Sequence, residues 1–160
     1  MHFSGFDISK EAVKAAAKKN RQISFAVAGS YHMPIADSSV DMLLNLFAPL
    51  ALAETQRVIK SGGYFIMAIP AEKHLFTLKS KIYDSPYENT VEDSALEGFS
   101  LIKSERVSFT LSLKSQNEIR NLFMMTPYAY RTGKEARERI LSLESLDTEA
   151  DFIIFVYKKV

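Results

Sequence analysis

The sequence contains no cysteine, which excludes a disulfide framework, a thiolate zinc site and a cysteine nucleophile. It also lacks an excess of either charge, with 20 Lys+Arg against 19 Asp+Glu and a net charge of +1. A protein that holds nucleic acid mainly by charge needs a strong basic excess, so any claim on nucleic acid must rest on other features. No stretch approaches the roughly 20 apolar residues of a spanning helix. Residues 1–10 carry no charged region followed by an apolar run, as a secretory leader would. These absences predict a soluble, unprocessed, cytoplasmic protein without a membrane partner. His2, His32 and His74 lack metal-ligand spacing, and neither a serine elbow in a strand-to-helix turn nor a G-x-x-x-x-G-K-[ST] phosphate loop occurs. Metal-dependent hydrolysis and nucleotide hydrolysis are therefore disfavoured.

What is present is ample apolar material, 47% hydrophobic over 160 residues, enough for the core of one domain spanning residues 1–160. Residues 3–8 form a short strand-like run, and Ser9 follows as a good helix cap. Ala12, Val13, Ala16 and Ala17 recur at helical spacing across residues 10–20, with Lys10, Lys14, Lys18 and Lys19 on the other faces. Residues 23–27 read as a strand and 29–39 as a loop. Residues 40–47 look like a strand buried on both faces. A helix over 51–60 is expected to stop at Ser61-Gly62-Gly63, where glycine takes up the left-handed conformation. A strand over 64–69, a helix over 72–83, an exposed loop over 84–94 and a long strand over 99–113 follow. Ser115 caps a helix to Met125, Thr132 caps another over 133–146, and residues 151–157 make the last strand. Early strand–helix alternation points to a parallel α/β sheet, with the final two strands as an antiparallel edge.

In open α/β sheets ligands sit outside the carboxyl ends of the strands. There the sequence reads Gly5-Phe6-Asp7-Ile8-Ser9, then Ala28-Gly29-Ser30-Tyr31-His32-Met33-Pro34-Ile35, then Asp37-Ser38-Ser39-Val40-Asp41 leading to Asn45-Leu46-Phe47-Ala48-Pro49, and finally Lys60-Ser61-Gly62-Gly63. In this order the segments resemble the second to fifth blocks of class I S-adenosylmethionine-dependent methyltransferases, with Ser61 where the family usually has proline. Ile69-Pro70 with Lys73-His74-Leu75, Leu96-Glu97-Gly98-Phe99, Met125-Thr126-Pro127-Tyr128-Ala129-Tyr130-Arg131 and Asp151-Phe152 are similar to bacterial ribosomal RNA guanine-N1 methyltransferases. The resemblance covers essentially the whole chain, and it begins after the family's glycine-rich first loop and its N-terminal zinc module.

The resemblance implies a partial Rossmann-like class I methyltransferase sheet, mostly parallel with an antiparallel edge and flanked by helices. It implies S-adenosylmethionine as cofactor, ribosomal RNA as partner, and methyl transfer to guanine N1 in the complete parent. A small-molecule methyltransferase and a non-catalytic fragment or oligomerising scaffold stand as alternatives. Asp7 and Ile8 would meet the cofactor ribose, although an acid there also suits the first turn of a helix. Gly29 and Ser30 would meet adenine, or form an ordinary strand-to-loop turn. Asn45 would line the transfer pocket or simply mark a strand exit, and His74 would reach the cofactor or only pack. Tyr128, Tyr130 and Arg131 offer faces for stacking and a grip on phosphate, unless the aromatics are core. No general base is assigned; Asp41, inside a strand, is a weak candidate. In the family's strand order the absent first strand lies between residues 3–8 and 40–47. The expectation is either a collapsed sheet with those two strands adjacent or a strand-exchanged homodimer.

Overall fold

A computed structural model of the chain describes residues 2–91 and 94–160. The element order is β1 (Ser4–Asp7), α1 (Lys10–Lys19), β2 (Ser24–Val27), β3 (Val40–Leu46), α2 (Leu52–Val58), β4 (Ile59–Pro70), α3 (Phe76–Ile82), β5 (Phe99–Leu113), α4 (Gln116–Met125), a 3-10 turn (Pro127–Tyr130), α5 (Lys134–Leu141) and β6 (Leu146–Lys159). This is the α/β order expected from the sequence, with the 3-10 turn added. The strands form a two-stranded sheet, β1-β2, and a four-stranded sheet of order β3-β4-β6-β5. The chain groups into two compact units, one of Met1–Met67, Ser94–Lys103 and Val156–Val160, the other of Ala68–Asp93 and Ser104–Phe155.

In the first unit β1 and β2 run parallel, with Ser4 opposite Ser24 and Asp7 opposite Val27. Their connection is α1, which starts where the Ser9 hydroxyl accepts the Ala12 amide at 3.2 Å. No described residue before Met33 is buried, so this β-α-β segment keeps its apolar side chains largely accessible. The core of the unit lies further along the chain. Phe65, Phe99 and Tyr157 meet with ring centroids 5.8–6.4 Å apart, and the Tyr157 hydroxyl donates to the Ser94 carbonyl at 2.8 Å. Each fully buried ring of this kind contributes about 2 kcal/mol or more of transfer free energy.

Three expectations for this unit are corrected. β3 is not buried on both faces: Leu43 and Asn45 are buried, but Met42, Leu44 and Leu46 are 48%, 56% and 58% exposed, because among the described residues nothing covers that face. β1 and β3 do not collapse together, since they belong to separate sheets. The segment joining β2 to β3 is hydrogen-bonded to α2 and its end, Ser38 to the Arg57 carbonyl and Ser39 to the Val58 carbonyl. Those bonds tie the start of β3 to the end of α2. Finally, α2 closes at Val58, before the glycines, and β4 begins at once with Ile59 in extended conformation. Val58 and Ile59 are β-branched and fully buried, a preference that suits a strand. Gly62 does adopt φ +74, but within β4. A Cβ on Gly63 would lie 3.0 Å from the Asp41 carbonyl oxygen and 2.7 Å from Ile59 Cγ2, so the glycine there permits close approach of β3.

The second unit packs Leu75, Leu78, Ile82, Leu113, Ile119, Phe123, Ala129, Ile140 and Leu146 into one apolar cluster. Here α3 begins at Phe76 rather than residue 72. The amides of Ala71 and Leu75 are taken by the Asp151 and Glu149 carbonyls of β6, so residues 71–75 form a turn ending in left-handed Leu75, φ 55. In place of a cap on the helix itself, Glu149 accepts the Thr77 amide and hydroxyl at 2.8 and 2.7 Å. Thr148 Oγ1 accepts the Leu78 amide at 3.2 Å. Ser115 caps α4 as expected, accepting the Glu118 amide. Thr132 does not cap α5: its hydroxyl donates to the Tyr128 carbonyl at 2.7 Å, and Gly133 holds the cap position. α5 ends at Leu141, and β6 starts at Leu146, five residues earlier than expected, because Leu146, Thr148 and Ala150 alternate inward. The expected loop over 84–94 includes residues 92 and 93, which lie outside the described residues.

Candidate cofactor and acceptor site

The nine residues proposed from sequence divide between the units. Asp7, Ile8, Gly29, Ser30 and Asn45 belong to the first, and His74, Tyr128, Tyr130 and Arg131 to the second. Among the described residues no group of side chains could hold a metal ion. No helix among them is long and apolar enough to cross a membrane.

Asp7 ends β1 at the carboxyl edge of the parallel pair, and its carbonyl accepts the Ala28 amide at 3.1 Å. This bond draws the two strand exits together. Asp7 Oδ1 accepts the Ser9 amide at 2.7 Å, so the carboxylate braces the turn into α1 while the residue stays exposed. Ile8 is 79% exposed. A Cβ on Gly29 would meet only Ile8 Cγ2, at 3.6 Å. The space over that turn is therefore open, flanked by a carboxylate on one strand exit and the backbone of Gly29 and Ser30 on the other. That donor and acceptor set fits the nucleoside half of a cofactor: the carboxylate suits ribose hydroxyls and the backbone suits a base edge.

Asn45 stands near the exit of β3 and is buried, 8% exposed. Its Oδ1 accepts the Ala48 amide at 3.2 Å and its Nδ2 donates to the Pro49 carbonyl at 3.4 Å. These bonds hold the turn at Phe47, whose φ is 59. Asp41 pairs with Lys60 at 2.7 Å, and the Lys60 bond keeps its carboxyl below the ordinary value, which makes it a weaker base.

In the second unit His74 Nδ1 accepts the Asp151 amide at 3.3 Å, and its ring lies 4.6 Å from that of Phe152. Burial, then the Lys79 charge, holds the imidazole below its ordinary pKa. The ring therefore favours the neutral form, with Nε2 as the protonated nitrogen. Tyr128 is half-buried against the apolar cluster, whereas Tyr130 is 83% exposed and Arg131 is exposed. Burial pushes the Tyr128 phenol up to about 12, so it stays a hydrogen-bond donor at neutral pH.

Two features escaped the sequence reading. Lys79, fully buried, donates to Asn89 Oδ1 at 2.6 Å and the Tyr87 carbonyl at 3.1 Å, and lies 4.5 Å from the Tyr87 ring centre. Asp151, 1% exposed, is gripped in bidentate fashion by Arg106, at 2.9 and 2.6 Å. A charged residue within an apolar strand was the available signal for Asp151; Lys79 at helical spacing reads as a solvated lysine.

Residues 1–67 match the family model described as a methyltransferase domain. In that segment and in its fold the chain resembles the class I methyltransferases. It is similar to a Bacillus subtilis (strain 168) protein provisionally named a 23S rRNA (guanine-N(1)-)-methyltransferase, 29% identical over 98% of this chain and 57% of that protein. A Streptomyces fradiae protein named 23S rRNA (guanine(748)-N(1))-methyltransferase is 31% identical over 67% of this chain and 40% of its own length. The chain thus spans about half the length of these curated relatives. Among solved structures, a SAM-dependent methyltransferase of Methanosarcina mazei aligns with TM-score 0.54 at 13% identity, covering 98% of this chain and 81% of that one. The methyltransferase domain is accordingly Rossmann-like, it resembles the ribosomal RNA guanine-N1 methyltransferases, and the cofactor this family implies is S-adenosylmethionine.

Proposed function

We propose that this chain is part of an enzyme that transfers a methyl group from S-adenosylmethionine to N1 of a guanine in ribosomal RNA. The observation that carries the reading is the open turn at the exits of two parallel strands, with Asp7 ending one and Gly29 following the other, in a chain similar along 98% of its length to a protein named for that reaction. In this reading Asp7 and Ile8 hold the ribose, Gly29 and Ser30 the adenine, and Asn45 completes the cofactor side of the first unit; His74, in the second unit, is a separate candidate for cofactor contact. S-adenosylmethionine, when bound, supplies an electrophilic methyl group, and the chain contributes mainly by positioning and by excluding water. Tyr130 and Arg131, exposed, and Tyr128 beside them provide stacking and phosphate contacts for the RNA. An acceptor of that kind would put the protein in the cytoplasm. The partly open β1 and β3 suit a homodimer in which a second copy pairs with those strands.

Calorimetric titration with S-adenosylhomocysteine tests the cofactor half: micromolar affinity is expected, and Asp7→Ala should weaken it about tenfold through the lost charged hydrogen bonds. No heat with the wild-type chain would remove the cofactor reading. A second reading, a small-molecule methyltransferase, draws on the net charge of +1, which is low for an RNA binder. Methylation of a ribosomal RNA hairpin, but not of small metabolites, separates the two.

A further inference from the structure

The loop that follows β2 is held by one arginine and one glutamate of α2. Arg57 Nε donates to Glu54 Oε1 at 2.6 Å and Nη2 donates to Glu54 Oε2 at 2.8 Å. The same guanidinium reaches three points of the loop: the Met33 carbonyl at 3.1 Å, the Ile35 carbonyl at 2.7 Å and Asp37 Oδ1 at 2.6 Å. Glu54 Oε2 closes the ring by accepting the Met33 amide at 2.8 Å. Both backbone polar groups of Met33, which is 7% exposed, are therefore fixed by this pair.

Met33 is four residues from Gly29, and the intervening chain is a tight turn in which the His32 amide donates to the Gly29 carbonyl at 3.3 Å. At the other end Gly29 follows Ala28, whose amide is bonded to the Asp7 carbonyl. The backbone of Gly29 and Ser30 is thus suspended between two anchors, the β1 exit and the Glu54–Arg57 pair. A planar guanidinium can serve such divergent acceptors at once; a lysine ammonium cannot reproduce the fork. Glu54 is held as an anion, its carboxyl brought down to about 2 first by Arg57 and then by the Met33 amide.

We propose that Glu54 and Arg57 are positioning residues for nucleobase recognition: by pinning Met33 they set where the Gly29–Ser30 backbone meets the base edge of the cofactor. The inference rests on the reading that this turn holds adenine. Neither residue touches the cofactor; they act through the loop, and the selectivity for adenine over a base with a different edge depends on them.

The test is titration of the full chain with S-adenosylhomocysteine and with S-inosylhomocysteine, whose base carries a carbonyl where adenine carries an amino group. Arg57→Lys and Glu54→Gln should each weaken S-adenosylhomocysteine by about tenfold, as expected for lost charged hydrogen bonds. Each should also reduce the ratio of the two affinities, and the double variant should be little worse than either single one because the two side chains act as a unit. A merely structural role would lower the thermal midpoint and weaken both ligands equally. An unchanged ratio in both folded variants would overturn this inference while leaving the cofactor reading intact. Failure of the wild-type chain to bind either ligand would overturn both.

Discussion

The buried carboxylate of Asp151 shows how a single charged residue is tolerated inside a strand. Removing a carboxylate from water costs several kcal/mol unless it is paired and hydrogen-bonded. Arg106 supplies two bonds, and the Lys73 amide adds a third at 3.3 Å. The Arg106 bond is the first reason that the Asp151 carboxyl stays below its ordinary value of 3.8. Because the folded-state value is depressed, its contribution to stability is complete above about 3.8 and is lost as pH falls through the lowered value. Asp151→Asn should destabilise the chain by about 2 kcal/mol at neutral pH, the worth of charged hydrogen bonds. Chemical denaturation at pH 7 and pH 3 checks this: the gap between variant and wild type should narrow at the lower pH. A gap that widened would contradict the ionic account. The same residue touches His74, since its amide donates to His74 Nδ1, so a variant that disturbs β6 should also release the imidazole from its fixed tautomer.

At the scale of elements, the strap over residues 83–91 is held to α3 by Lys79 and to residues 71 and 72 by Asn89. The Asn89 side chain donates to the Ala71 carbonyl at 2.7 Å, and its amide to the Glu72 carbonyl at 2.9 Å. Lys79→Met leaves Asn89 Oδ1 and the Tyr87 carbonyl without their ammonium donor, a cost of about 2 kcal/mol borne by the strap. Hydrogen exchange should report faster exchange of the Asn89 amide, with the Ile119 amide of α4 unchanged; equal acceleration of both would indicate global destabilisation instead. Nothing in the sequence advertises this clasp, because it depends on a turn bringing residue 89 back to residue 79. What the sequence did disclose follows the same logic. Ser9 and Ser115 were legible as caps because a cap acts on amides two or three residues away. The start of α3 was not, because its amides are taken by Glu149 and Thr148 from a strand some 70 residues later. α2 ended at Val58 rather than at the glycines because burial of two β-branched residues outweighed a turn signal. The candidate site divides in the same way: Asp7 and Gly29 were proposed because they stand at strand exits, a local signal, whereas the Glu54–Arg57 pair joins segments about 20 residues apart.

At the scale of the whole molecule, the outer surface of the first unit is the unusual feature. Phe3, Ile8, Val27, Met42, Leu44, Leu46 and Phe47 are each at least 48% exposed. Scattered exposed apolar side chains are normal on soluble proteins, but three of these alternate along one face of β3, the end strand of its sheet. Such a strand presents unpaired backbone groups beside an apolar face, the combination that recruits another strand. Association of two copies would cover both at once, and it should depend on concentration as any bimolecular step does. Light scattering across a hundredfold range of concentration, about 1 to 100 μM, should show the average mass rising from one chain toward two, as for an interface of micromolar affinity. Leu44→Lys, which puts a charge in the middle of the exposed face without touching buried Leu43 or Asn45, should shift that rise to higher concentration while leaving thermal stability of the dilute chain within about 0.5 kcal/mol. A wild-type chain that stays monomeric throughout would exclude the homodimer. A Leu44→Lys chain that dimerises as well as wild type would move the interface away from β3, toward the edge of β1.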